Sequence, residues 1–452
     1  MSSILQNASG YAEAFQSADT TSKPMRKAIQ EWFDLYFQDN PTDKEDPCQR
    51  IPYTIVNKLT KTVFSEYAAT TQNEFAKAVL SALKSSSHIA MQMALIGGEC
   101  ALKPVPDAKG FRFVVVPRNN ILVFARNAHG EMTDIGTVEL STSGNCYFTL
   151  LERRTVDNRG YLQIRYKLFK SYSVGNLGQQ VPLNSLPQYE NLQEEYIFTK
   201  PVGSIGLISL RTPMVNCVDG SSDAVSVYAA ATGLIHNINH NEYQLCGEFD
   251  RGESRVAVSE DVLIFEGGKK VISDNLFVGL NEDPETTGFN IFSPPLREAS
   301  FLARKQEYLR NVENIIGLKR GLLSEVEAAE RTATEITSSA GDYNLTIIDF
   351  QKMWEKAVQE AMRVCSIFGQ LYQIPGAQDI PEDAVTINWG NGVLYDEEKT
   401  WEDYKAMVAA GLLKPEIAVG WRFNLPTDTT AQREKVRKLY MPEIETEEEE
   451  DE

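Results

Sequence analysis

The stretch Glu330-Arg331-Thr332-Ala333-Thr334-Glu335-Ile336 lies between two segments of helical periodicity, and its reading decides the fold. On its N-terminal side Phe301, Tyr308, Val312 and Ile315 recur at helical spacing and predict a helix that ends at the glycine-bearing segment Gly317–Gly321. On its C-terminal side an amphipathic pattern of about 25 residues predicts a second helix, roughly 37 Å long at helical rise. Thr332 with Glu335 has the form of a capping box, in which the hydroxyl takes the amide three residues on and the carboxylate reaches back. The phrase therefore marks the point where a loop becomes a helix. Thr332 and Thr334 would act as catalytic hydroxyls only beside a base, and no paired histidine is suggested.

The 452 residues suffice for two or three domains, and 42% hydrophobic with 24% charged residues is ordinary for a globular chain. No run of about 18 apolar residues occurs, so no membrane span is expected. The polar N-terminus lacks the basic-then-apolar pattern of a secretion signal. Six cysteines (Cys48, Cys100, Cys146, Cys217, Cys246, Cys365) are scattered without a C-x-x-C pair, which predicts reduced thiols and no zinc. The net charge of −19 argues against a protein that grips duplex DNA, because such grip comes from phosphate neutralisation by a basic surface.

Along the chain, helices are expected around Pro24–Gln38, from Ile55 to Tyr67, and from Phe75 towards Leu95. From Gly97 the period shortens to that of strands: Glu99–Lys103, Phe111–Val116, Ile121–Arg126, Thr137–Leu140, Tyr147–Arg154 and Tyr161–Phe169 predict one meandering antiparallel sheet. Residues Ser173–Gln193 read as an exposed excursion. A helix is expected from Ser221–Asp223, capped by Ser221 or Ser222, to about Phe249. Strands follow at Arg255–Val258 and Val262–Glu266. A strand at Val385–Trp389 and helices at Thr400–Ala410 and Pro415–Trp421 complete the pattern. The last ten residues hold eight carboxylates (Glu443, Glu445, Glu447, Glu448, Glu449, Glu450, Asp451, Glu452), a composition expected to stay unfolded.

Trp32-Phe-Asp-Leu-Tyr36, Ala94-Leu-Ile-Gly-Gly-Glu-Cys-Ala-Leu102, Asn241-Glu-Tyr243, Gly252-Glu-Ser-Arg-Val-Ala-Val258, the Thr-Ala-Thr-Glu phrase, Asn388-Trp-Gly-Asn-Gly-Val-Leu-Tyr-Asp396 and Met407-Val-Ala-Ala-Gly-Leu412 succeed one another in an order that resembles the portal proteins of tailed bacteriophages. The branch resembled is that of long-tailed phages of Gram-positive hosts. The resemblance runs over most of the chain and thins beyond Leu412.

It implies an α+β portal fold: N-terminal helices and a sheet-bearing wing over 1–221, a stem helix over 222–249, a small α/β clip over 250–297 and a second stem helix over 298–317. A tunnel loop over 318–331, a long wing helix over 332–370, a C-terminal wing and crown over 371–442 and an acidic tail over 443–452 would come after these. The implied function is a ring, usually of twelve subunits, at the unique capsid vertex. Double-stranded DNA would be packaged through it by the terminase and later ejected, and the head–tail connector would attach to it. Partners would include the terminase large subunit, the connector or adaptor, and the major capsid and scaffolding proteins. The protein would assemble in the host cytoplasm and reside in the virion. The other reading is a virion structural or connector protein without an axial DNA channel.

This layout defines the candidate site residues. Lys319, Arg320, Gly321 and Ser324 would form the DNA-facing tunnel loop, although Lys319 and Arg320 also suit simple compensation of the helix dipole at Gly317. Thr332, Ala333, Thr334 and Glu335 are the helix-cap motif. Lys269, Lys270, Asp274 and Asn275 would meet the terminase or connector. No catalytic residue, cofactor or metal is expected. His236 and His240 share a helical face but lack a third ligand. Gly267-Gly268-Lys269-Lys270 lacks the upstream glycine and the hydroxyl residue of a phosphate loop. Ser81-Ala-Leu-Lys84 has no companion motifs. The acidic tail could repel DNA, hold basic proteins or merely solvate the chain.

Overall fold

The computed structural model describes residues 8–37, 47–107, 110–173, 175–251, 255–257, 264–266, 269–271, 290–292, 297–325, 333–381, 384–390, 397–423, 425–427 and 429–441, with backbone only at 8–9, 251–292, 333–342, 397–400 and 431. The chain divides into two compact units, one of residues 1–63 and 69–386, the other of residues 64–68 and 387–452. The fold is mixed α+β.

The larger unit opens with helices α1 (Ala8–Phe15), α2 (Lys23–Phe37) and α3 (Ile51–Val63), strand β1 (Ala68–Thr71) and helix α4 (Glu74–Gly97). The expected stripe of α2 is real: Met25, Ile29, Trp32 and Tyr36 are buried. Asn73 caps α4 by accepting from the Ala76 amide at 3.0 Å, and Gly98 ends it with φ +79°. That left-handed turn is crowded as well as strained for other residues, since a Cβ on Gly98 would lie 2.5 Å from the Ala224 carbonyl oxygen.

The strand region forms two sheets rather than the single meander expected. β2 (Glu99–Asp107) and β3 (Gly110–Pro117) pair antiparallel, and β10 (Ile208–Arg211) joins the far side of β2, with Ile208 opposite Leu102. A 3₁₀ turn at Arg118–Asn120 then leads into the second sheet. This comprises β4 (Ile121–Arg126), β5 (Met132–Ser143), β6 (Cys146–Val156), β7 (Leu162–Ser171) and β8 (Gln179–Val181) in sequence order, with β9 (Glu195–Ile197) also on β7. The break falls where Arg118 turns inward. Its fully buried guanidinium donates to the Ile121 carbonyl at 2.8 Å and the Thr21 hydroxyl at 2.9 Å.

Residues 173–193 are not simply an excursion. Leu183, Leu186 and Tyr189 are buried against Phe148, Leu150 and Leu168. Their polar neighbours hid a small satellite core.

The helix expected from Ser222 begins ten residues later, as α5 (Thr232–Arg251), after a 3₁₀ turn at Ala229–Ala231. Residues 223–228 are instead buried in irregular backbone against α4. The Val227 amide and the Ser226 hydroxyl both donate to the Leu95 carbonyl, at 2.9 and 3.0 Å, and the Tyr228 hydroxyl donates to the Trp32 carbonyl at 2.7 Å. Ser221 turns the loop by accepting from Asn216 at 3.1 Å.

The short strands β11 (Arg255–Ala257), β12 (Ile264–Glu266), β13 (Lys269–Val271) and β14 (Asn290–Phe292) pair as β11–β14 and β12–β13. Helix α6 (Glu298–Ile316) returns beside α5. Its buried face is Leu309, Val312, Glu313 and Ile316, rotated from the expected one, and Ile315 is 50% exposed. Helix α7 (Ala333–Leu371) has 39 residues, so it is longer than its amphipathic part. Its first ten residues are mostly small or polar and carry no apolar periodicity. Beyond them Ile347, Phe350, Trp354, Val358, Ala361, Cys365 and Phe368 run along a buried stripe. β15 (Val385–Asn388) comes after it.

In the smaller unit, Tyr67 packs on Trp389 with ring centroids 4.9 Å apart. Helices α8 (Glu397–Ala409), α9 (Pro415–Arg422) and α10 (Thr430–Tyr440) complete it. The first two were legible as periodic segments. α10 opens with a capping box, Thr429 with Gln432. Among the described residues no helix is long and apolar enough to cross a membrane.

Candidate functional site

Helix α6 ends in a glycine-dependent reversal. Gly317 takes φ +76°, its amide donates to Asn314 O at 3.4 Å, and the Leu318 amide donates back to Glu313 O at 2.8 Å. This paired bonding is a Schellman closure and satisfies carbonyls the helix would leave open. Leu318 is buried and anchors the start of the loop.

A tight turn comes next. The Leu322 amide donates to Lys319 O at 3.1 Å, and Gly321 at the third position has φ +87°, the sign that a type II turn demands there. Lys319, Arg320 and Gly321 are exposed at its tip. The structure thus brings three of the four expected loop residues to one projecting point, with the fourth, Ser324, buried below them.

Below the turn lies the side chain of Glu313, fully buried. Its Oε1 accepts from the Leu323 amide at 2.5 Å and the Ser324 amide at 2.9 Å. Its Oε2 accepts from the Gly321 amide at 3.3 Å and the Ser324 hydroxyl at 2.7 Å. All four partners donate, as an ionised carboxylate requires. Two effects oppose an acid at this place. The helix C-terminus carries partial negative charge, costing about 0.3–1 kcal/mol, and burial strips water from the carboxylate. Hydrogen bonds to a charged group contribute about 1.5–3 kcal/mol each, so four of them exceed the dipole cost several-fold and replace the lost water.

Two further contacts flank the turn. Lys58 Nζ on α3 donates to Leu322 O at 2.5 Å, and the Glu325 amide donates to Gln306 Oε1 on α6 at 2.8 Å. The described part of the loop is therefore held from below and from both sides. The side chains of Lys319 and Arg320 make no hydrogen bond or ion pair among the described residues.

The sequence marked the tip but missed its support. A signal for Glu313 existed: it occupies one of the positions Leu309, Val312, Glu313 and Ile316 that share a helical face, a charged residue on an otherwise apolar stripe.

The other candidates are placed less fully. Ala333, Thr334 and Glu335 form the backbone of the first turn of α7, while Thr332 and the side chains of all four lie outside the described residues. Lys269 and Lys270 lie on β13, opposite Glu266 and Phe265 respectively. Their side chains, with Asp274 and Asn275, also lie outside the described residues. His236 Nε2 is 2.8 Å from Glu31 Oε1, and His240 accepts from Gln244 at 3.1 Å, so the two histidines face different partners. No cluster of three metal-ligating side chains occurs among the described residues. The buried Cys100 and Cys365 thiols are pushed up by desolvation, away from the thiolate that nucleophilic chemistry needs.

Helices α5 and α6 are cross-braced. Lys305 Nζ meets Glu242 Oε2 at 3.0 Å, the Asn241 amide side chain donates to Phe301 O at 3.1 Å, and Arg297 grips Glu248 through two bonds of 2.9 and 2.7 Å. Positions rising from 242 to 248 meet positions falling from 305 to 297, so the helices are antiparallel.

No family model matches the chain, and no curated protein matches it. Among solved structures it is similar to a chain from the neck of a native GTA particle computed with C12 symmetry, at 11% identity over 93% of this chain and 99% of that one, with a TM-score of 0.45. It is also similar to a chain from the neck of an empty GTA particle computed with C6 symmetry, at 13% identity over 92% and 98%, again with a TM-score of 0.45.

Proposed function

We propose that this chain is a portal subunit, a non-enzymatic protein that closes with about eleven copies of itself into a ring at one capsid vertex. Double-stranded DNA passes through the ring into the capsid, driven by the terminase, and later out towards the tail. The connector seats on the same ring. The observation that carries this reading is the antiparallel pair α5 and α6, which flanks the strand-bearing segment 252–297. Such a pair suits a stalk that carries the intervening segment, the arrangement that the ordered sequence phrases imply for stem and clip. The exposed turn at Lys319 and Arg320 supplies a short cationic contact for passing phosphates on a chain that is otherwise strongly acidic.

Native mass spectrometry and negative-stain imaging of the purified chain test the proposal. The expected result is a closed ring of about twelve subunits with a central hole that admits a duplex. A monomer or dimer at every concentration and salt would overturn it and favour a virion protein without a channel.

A further inference from the structure

We propose that Glu313 is a positioning residue: it latches the turn 318–325 so that Lys319 and Arg320 are held in one fixed geometry at the end of α6. That the held cations meet DNA rests on the function proposed above; the latch itself does not.

Few backbone bonds hold the turn. Within 318–325 the bond from the Leu322 amide to Lys319 O closes the tip, and the bond from the Leu318 amide to Glu313 O closes the helix end. The amides of Gly321, Leu323 and Ser324 find no backbone acceptor among the described residues. One side chain, that of Glu313, takes all three, and the Ser324 hydroxyl besides. Three of the four amides from Gly321 to Ser324 therefore depend on a single carboxylate. Because Glu313 is anchored on the buried face of α6 between Val312 and Ile316, it transfers the rigidity of that helix to the turn. Lys58 and Gln306 restrain its two flanks, so a loosened turn would have to break contacts with both α3 and α6. A glutamine substitutes poorly: with its NH₂ towards Leu323 and Ser324 two amide donors lose their acceptor, and with it towards Gly321 the Ser324 hydroxyl can turn to accept but the Gly321 amide is left without a partner.

Hydrogen exchange on the full-length chain tests the latch. The amides of Gly321, Leu323 and Ser324, which the carboxylate accepts, should exchange at least ~100-fold more slowly than an unstructured peptide, since their opening requires the latch to break. In Glu313→Gln they should speed up at least ~10-fold, and in Ser324→Ala by a smaller factor, while α4 amides stay unchanged. Unchanged exchange at Gly321, Leu323 and Ser324 in Glu313→Gln would overturn the proposal. Positioning, as opposed to general support, is read by combining variants. If Glu313 acts through the two cations, Glu313→Gln reduces DNA packaging in the native background but adds nothing to Lys319→Ala/Arg320→Ala. An additive further loss would overturn the positioning role. Should Lys319→Ala/Arg320→Ala by itself leave packaging intact, the DNA contact fails, and the exchange result still decides the latch.

Discussion

Glu152 has a buried carboxylate compensated by two cations. It is buried with Arg154 and Lys103 bonded to it, and Arg154 also donates to the Ile205 and Gly206 carbonyls at 3.0 and 3.2 Å. Burial alone would raise its pKa, but the two cations overturn that and hold it at about 2. A carboxylate depressed from about 4.5 in the unfolded chain to about 2 stabilises the fold in full above pH 4.5, and that stabilisation is lost as the pH falls towards 2. The amount is about 3 kcal/mol, from the size of the depression. In Glu152→Gln a buried guanidinium loses its counter-charge, so urea unfolding at pH 7 should show a loss of about 3–5 kcal/mol. Between pH 4.5 and 2 the variant's stability should fall less steeply than the parent's. Parallel curves over that interval would show that the carboxylate is not the titrating group.

At the scale of elements, α7 is the longest packed surface, and Phe368 fixes its C-terminal half. It is 1% exposed, stacks on Phe198 with centroids 5.0 Å apart, and lies where a Cβ on Gly206 would meet it at 2.5 Å. Phe368→Ala should lower stability to denaturant by about 3–5 kcal/mol, the cost of emptying a large aromatic site. A loss below about 1 kcal/mol would mean that the helix end is already loose. This helix also shows what the sequence could reveal. Apolar residues at helical spacing made its second half legible, while the polar stretch 333–342 carries no such signal, and a helix over 332–370 was implied by the family resemblance alone. The α2 stripe was equally plain because its burial is one-sided, and the strands from Glu99 to Ser171 because short runs rich in β-branched and aromatic residues alternate with turns. What escaped was set by partners distant in sequence. The start of α5 is delayed by bonds to Leu95 and Trp32, and β10 exists because β2 offers it an edge. The site divides the same way. Lys319 and Arg320 stood out as cations between glycines, whereas the role of Glu313 required seeing which amides it reaches.

For the whole molecule the governing quantity is charge. Each chain carries −19, of which residues 443–452 contribute eight negative charges, leaving −11 without them (−19 + 8). Closing such chains into a ring brings like charges together, and the repulsion grows with the screening length. That length is about 30 Å at 0.01 M salt and about 8 Å at 0.15 M, so repulsion between neighbouring subunits is long-ranged in the first case and confined to contact in the second. Apolar burial between subunits is not weakened by such salt. The proposed ring should therefore be sparse at 0.01 M and should fill in as salt rises to 0.15 M. Removing residues 443–452 should populate the ring at lower salt than the full chain needs, since it deletes almost half the net charge without touching the described residues. Sedimentation velocity across that range reads both effects in one series. A ring that dissociates as salt rises would instead mean that ion pairs between subunits outweigh their net repulsion, and the acidic balance would then be a property of the outer surface alone.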